Sequence, residues 1–347
     1  MRILNLTFLS FIMSVFPSER TPQTLTNVAF PVPSANSPGA ANLIYQSRDG
    51  GQTWQDISET LPVNKAPDDF FAGASEVYLR VSDELYRSKS NLTIPVWEKE
   101  NGLDTRNASI AFNHSGIMAY NYDGLLYKKV TAKGTWLPMY TDLQKSLMRG
   151  VFETSNGTIL LGSDRGLFKS NDLGKTWKQV QNEGWVIDIV ESEGVLIATG
   201  QNGIMRSADN GDTWEWVISD GGAGIAVEVI NGGFAAISAS SKTISRRVHI
   251  SLDKGKTWQA IDEGLRPSLA ISSIKQVGNY LFCGHPDGVF RSSDLGNTWH
   301  LVHSALEKKA VRYGQSWTIV ESSAPNKALT LYKSGNVLYA VVKDTGC

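Results

Sequence analysis

Ser207-Ala208-Asp209-Asn210-Gly211-Asp212-Thr213-Trp214 is the stretch that decides how this chain is read. Its pattern, Ser-x-Asp-x-Gly-x-Thr-Trp, is complete in four other places: Ser47 to Trp54, Ser170 to Trp177, Ser251 to Trp258 and Ser292 to Trp299. Two eroded copies fill the gaps. Ser88 to Trp97 carries two extra residues, and Gly134-Thr135-Trp136 keeps only the end of the pattern. From Trp to Trp the steps are 43, 39, 41, 37, 44 and 41 residues, so seven units of about 40 residues occupy a chain of 347. A fixed period of this length belongs to a solenoid, a propeller or an array, where each unit buries its apolar face against the next.

Working outward from Trp214, the unit contains four short runs rich in Val, Ile and aromatics: VIDIVES from Val186, GVLIATG from Gly194, GIMRSAD from Gly203 and DTWEWV from Asp212. Gly, Asn and Asp separate them, which is the pattern of strands and tight turns rather than of helices. The same four runs recur around Phe152, Ile159, Leu167 and Trp177, and around Ile274, Tyr280, Val289 and Trp299. Four antiparallel strands per unit predict an all-β, seven-bladed propeller. The chain enters at Leu43 to Ser47 in the phase of a third strand, while Leu329 to Lys333 and Val337 to Lys343 are two apolar runs with no pattern after them. One blade assembled from two N-terminal and two C-terminal strands is therefore expected, and it would leave the ring without open edges.

The repeated pattern falls in the turn between third and fourth strands. There the Asp accepts backbone N–H groups, the Gly takes a positive φ, and Ser and Thr add local hydroxyl bonds. The Trp that follows is large enough to cover a blade edge and pack on a neighbour. Asp49, Trp54, Asp172, Trp177, Asp209, Trp214, Asp253, Trp258, Asp294 and Trp299 are accordingly read as structural.

These boxes resemble the Asp-box, or BNR, repeats of sialidases, sortilin-type receptors, xyloglucan hydrolases and photosystem II assembly factors of the Ycf48 type. The resemblance covers residues 43 to 347 and implies a propeller with the boxes on the blade periphery, away from a ligand-binding face. It implies no single activity. Sialidases of this fold use three arginines, the first in a Phe-Arg-Ile-Pro motif before the first box; here that region reads Val28-Ala29-Phe30-Pro31-Val32-Pro33, with Pro where Arg should stand. Xyloglucan hydrolases are about twice as long, with two propellers.

Composition excludes some partners. With 33 Lys and Arg against 34 Asp and Glu, the net charge of -1 favours neither nucleic acid nor an anionic membrane. Cys283 and Cys347 cannot form a disulfide framework, and Cys283, within Tyr280 to Gly284, reads as a buried core thiol. Met1-Arg2 followed by the apolar Ile3 to Phe16 reads as a signal peptide over residues 1–18, too short for a membrane span. Residues 19–42, rich in Pro, Ser, Thr and Asn, then form an extended lead-in. Export is the expectation, with a cytoplasmic protein as the alternative.

Chemistry has to be sought on the face opposite the boxes. Arg80, Arg106, Arg149, Arg165 and Arg266 lie on different blades, and only the fold can show whether they converge on a carboxylate. Asp68-Asp69, Asp104 and Asp142 lie in connections between blades, where a glycosidase could place two carboxyl groups with no spacing signature. His114, His249, His285, His300 and His303 form no ligand pair, and Asp209 to Asp212 has its Gly too early for a calcium loop, so no metal or cofactor is expected. The turns between second and third strands mix Asp, Arg, His and Tyr, and from them Asp123, Arg165, His285 and Asp287 are the ligand-face candidates. The expected function is that of a monomeric, non-catalytic binding or assembly module for a protein or glycan partner, the alternative being a glycoside hydrolase, exo-sialidase-like or endo-glucanase-like, acting on the same face.

Overall fold

The computed structural model describes residues 43–62, 67–104, 106–130, 134–139, 143, 147–313, 316–323 and 327–344, with the backbone alone described over 306–323. The chain divides into Met1–Pro38 and Gly39–Cys347, which holds the β-structure; the expected signal peptide over 1–18 and lead-in over 19–42 lie outside the described residues. That β-structure is seven four-stranded antiparallel blades in a ring. Blade 1 is the composite one. From the outside inwards it runs Gln55–Asp56, Ile44–Ser47, Val337–Asp344 and Lys327–Ser334, with the seam at Ile44↔Val341, Gln46↔Tyr339 and Ser47↔Leu338. Blades 2 to 7 begin with the inner strands Asp69–Ala72, Ser109–Asn113, Met148–Glu153, Val186–Ser192, Gly224–Ile230 and Ser273–Val277, and each adds three strands outwards in chain order.

The inner strands touch one another around the full circle, from Asp69–Ala72 through to Lys327–Ser334 and back. Seven separate apolar clusters lie between the blades, one for each neighbouring pair. Ile44, Phe70 and Tyr339 join blades 1 and 2, Leu160, Val186 and Leu196 join blades 4 and 5, and Phe282, Leu329 and Leu338 join blades 7 and 1. Seven interfaces for seven blades is what a closed ring requires. One element departs from the sequence reading: an additional hairpin, Leu306–Tyr313 paired with Ser316–Ser323, enters between blade 7 and the inner strand of blade 1.

The five complete boxes have one geometry. In blade 5 the Ser207 hydroxyl accepts the Gly211 N–H at 2.9 Å and donates to Asp209 at 2.7 Å, while the carboxylate accepts the Thr213 N–H at 3.0 Å and the Thr213 hydroxyl at 2.5 Å. Gly211 sits at φ +80°, where an L side chain is strained. The Thr bonds recur at Asp49, Asp172, Asp253 and Asp294. Trp177, Trp214 and Trp258 donate Nε1–H to their own box glycine carbonyl at 3.0 to 3.2 Å, whereas Trp299 reaches back to the carbonyl of Ile261 in the preceding blade at 2.6 Å. Where the box is eroded, another device stands in. Trp136 donates to Glu100 at 3.0 Å, and the buried Lys129 lies 3.2 Å from Glu100 and donates to Tyr78 at 2.7 Å. Cys283 is a fully buried free thiol, as read from the sequence. Among the described residues no helix is long and apolar enough to cross a membrane.

Candidate functional site at the axial mouth

Turns between second and third strands, and connections between blades, open on the face opposite the boxes. On that face, across the adjacent blades 2 to 5, lies a cavity of about 420 Å³ lined by Arg80, Ser109, Tyr120, Tyr122, Arg149 and Ile187, with Asn107 and Met148. Each lining position has a local cause. Arg80 is next to last in the second strand of blade 2, Tyr120 ends that of blade 3, Ser109 begins an inner strand and Arg149 and Ile187 are second in theirs, so side chains from four blades meet around one opening.

Tyr122 is on the turn of blade 3 and donates its hydroxyl to Asp164, on the corresponding turn of blade 4, at 2.7 Å. Arg149 binds Asp164 through Nε and lies 5.6 Å from the ring centres of both Tyr122 and Trp185. Burial alone would raise the Asp164 carboxyl, yet the bonds from Tyr122 and Arg149 hold it below the ordinary range, and Asp164 in turn raises the Tyr122 hydroxyl. Arg80 is less committed. Its Nη2 is 3.9 Å from Asp69, its Nη1 is 3.4 Å from Asn107, and its buried Nε–H has no hydrogen-bond partner among the described residues. Asp69 is already taken, since Lys343 donates to it closely and the Tyr332 hydroxyl lies at 3.5 Å. Around this polar centre Tyr122, Leu125, Leu147 and Ile187 are exposed.

The inner strands of blades 5, 6, 7 and 1 carry further charges, Asp188, Glu228, Lys275 and Lys333. Glu228 accepts from Lys275 at 2.9 Å and from Lys333, and although burial opposes it, the two ammonium groups hold its carboxyl low. Asp188 is different. Burial pushes its carboxyl up, and Lys275 offsets this only in part.

The residues nominated from sequence fall into two places. Asp123 and Arg165 are exposed on the adjacent turns that the Tyr122–Asp164 bond ties together. His285 and Asp287 lie on blade 7, away from them. The His285 ring is fully buried, its Nε2 is 2.8 Å from the Arg266 carbonyl, and its Nδ1 accepts the Asp287 N–H at 3.0 Å; this makes it the neutral Nε2–H tautomer, in keeping with a pKa lowered by burial. Asp287 binds Arg266 through two bonds, one of 2.9 Å. Of the five scattered arginines, Arg80 and Arg149 share the central cavity, Arg106 pairs with Asp104 at 2.7 Å, and Arg266 pairs with Asp287. Asp68 accepts the N–H of Ser82, and Asp142 is outside the described residues. Tyr120 and the inner-strand carboxylates Asp188 and Glu228 were not singled out from sequence. The available signal for the two carboxylates was a charge within an apolar run, Asp188 in VIDIVES and Glu228 in GIAVEVI.

No protein-family pattern matches the chain, and no curated protein is similar to it. Solved structures are. A GH74 xyloglucanase from Xanthomonas campestris superposes with a TM-score of 0.57 at 15% identity over 77% of this chain and 52% of its own. An ancestral GH74 enzyme gives 0.54 at 12% identity over 87% and 48%, so this chain spans about half the length of both. YCF48 bound to D1 peptide gives 0.52 at 14% identity over 88% of this chain and 87% of that one. At such identities the likeness is one of fold: this chain is a seven-bladed β-propeller of the architecture found in GH74 and YCF48 propellers.

Proposed function

We propose that the protein is a non-catalytic binding module that holds a protein partner at the axial mouth. The observation that carries this is the composition of the mouth: an exposed tyrosine and two arginines around a 420 Å³ cavity, ringed by exposed Leu125, Leu147 and Ile187. Tyr and Arg dominate the energetics of protein interfaces because each offers a large contact area with a polar end. Tyr122 and Arg149 are held in place by Asp164, so little side-chain entropy is left to lose on binding. Arg80 holds Asp69 and Asn107 only at 3.9 and 3.4 Å, so its Nη groups can turn to a carbonyl or carboxylate of the partner. Asp123 and Arg165 extend the surface as its rim.

The test is capture of partner protein by the wild type and by Tyr122→Ala, Arg149→Gln and Leu173→Ser, the last on the box face. Capture is expected to fall about ten-fold or more for the first two, at unchanged melting temperature, and to persist in Leu173→Ser. Loss confined to Leu173→Ser would move the interface to the box face and overturn the reading.

A further inference from the structure

A second cavity, of about 480 Å³, opens between blades 6 and 7 and shares no lining residue with the axial one. Three arginines border it, in unequal states. Arg247 is bound by both oxygens of Asp262, at 2.5 and 3.0 Å, and Arg266 is bound by both oxygens of Asp287. Arg246 is not neutralised. Its Nη1 donates to the Ile271 carbonyl at 2.8 Å, and among the described residues no carboxylate pairs with it, although burial disfavours its charge. Nε and Nη2 of a planar fork are thus left free in a half-buried wall, and that fork matches the two oxygens of a carboxylate. Pro267 is an exposed apolar residue of the lining, Leu265 and Ile271 being buried in the core between blades 6 and 7, and among the described lining residues none is aromatic, so a sugar ring has no face to stack on. The site is built rather than incidental: the buried His285 ring bonds the Arg266 carbonyl, and the Arg246 N–H bonds the Ser268 carbonyl at 2.9 Å, which fixes the loop between blades at two points.

We propose that this cavity binds a monocarboxylate with an aliphatic body, the carboxylate bidentate on Arg246 and the body against Pro267. The group has two sources, a free acid or the C-terminus of a peptide ending in an aliphatic residue. Calorimetric titration of the full chain with 4-methylpentanoate and with N-acetyl-glycyl-leucine separates them by which binds more tightly. The neutral 4-methylpentanamide is expected to bind about ten-fold or more weakly than its acid, and Arg246→Gln to lose that preference, with Arg246→Lys intermediate because it keeps the charge without the fork. The acid–amide comparison uses the wild type, so it stands even if a variant unfolds. Equal binding of acid and amide, saturable binding of neither acid, or an undiminished preference in Arg246→Gln would overturn the proposal. Partner capture at the axial mouth would be untouched by any of these outcomes.

Discussion

Asp209 sits in a turn that needs its negative charge, because four donors converge on one side chain, from Ser207, Asp212 and twice from Thr213. Burial would raise this carboxyl, yet those bonds hold it at about 2; Asp49 and Asp294, bound first by Thr53 and Thr298, are also at about 2, and Asp172 and Asp253 lie lower still. A carboxyl depressed by folding contributes stability above its ordinary pKa of about 4, and that contribution is lost as pH falls towards the folded value. Five such groups titrate together here. Denaturant midpoints measured from pH 5 to pH 2 should therefore fall steeply, with a slope corresponding to uptake of up to five protons on unfolding, one for each box. Asp209→Ala should lower stability by about 1–3 kcal/mol through loss of its charge-assisted bonds in the turn, reduce the proton uptake by about one, and leave partner affinity unchanged. A midpoint insensitive to pH in this window would show that the boxes do not depend on their charge.

An element of this fold is a strand held against the next blade, and the inner strands come close enough for the absence of a side chain to matter. A Cβ added at Gly150, in Met148–Glu153, would lie 1.9 Å from the carbonyl oxygen of Ile187 in the neighbouring blade. Backbone cannot yield as a side chain tip can. Gly150→Ala should therefore cost about 1–3 kcal/mol, read as a lowered denaturant midpoint; an unchanged midpoint would mean that blade spacing is set elsewhere. Strands and box turns are legible in sequence because their causes are local: alternation, glycine at positive φ, and Asp with Thr four residues on. The composite blade was legible from strand phase alone. The hairpin of Leu306–Tyr313 and Ser316–Ser323 was not, since it breaks the period and carries no box. The mouth was legible only as a face. Tyr122 and Asp164 are 42 residues apart, and nothing local to either announces their bond, just as nothing in the sequence separates Arg80 and Arg149, which share a cavity, from Arg106 and Arg266, which are neutralised elsewhere. His285 was nominated as a polar turn residue, and burial, which decides its role as a loop support, is a property of the whole ring.

At the scale of the molecule, closure governs what each blade is worth. In an open repeat array a local loss spreads only to neighbours, whereas in a ring every interface has blades on both sides and no terminal cap. The seam of blade 1 is where the ring can be opened. Tyr339, 1% exposed, packs 5.1 Å from the Phe70 ring of blade 2, and Leu331 N–H and the Leu329 carbonyl bond to Ser273 and Ser272 of blade 7 at 2.8 and 2.9 Å, so strands from the end of the chain join both flanking blades. Tyr339→Ala should cost about 3–5 kcal/mol, the range for emptying a large aromatic from a packed core. The informative readout is remote. If the ring unfolds as one unit, hydrogen exchange in the strand Val195–Gly200 of blade 5, far from the seam, should accelerate by the same free energy as exchange in blade 2. Deleting Leu329 to Cys347 takes the argument to its limit, because it exposes the edges of Ile44–Ser47 and of the blades on either side and should give aggregated or molten protein. A soluble truncation with a cooperative transition, or protection in blade 5 unmoved by Tyr339→Ala, would mean that the blades stand as separate units and that the seam only decorates a ring held by other contacts.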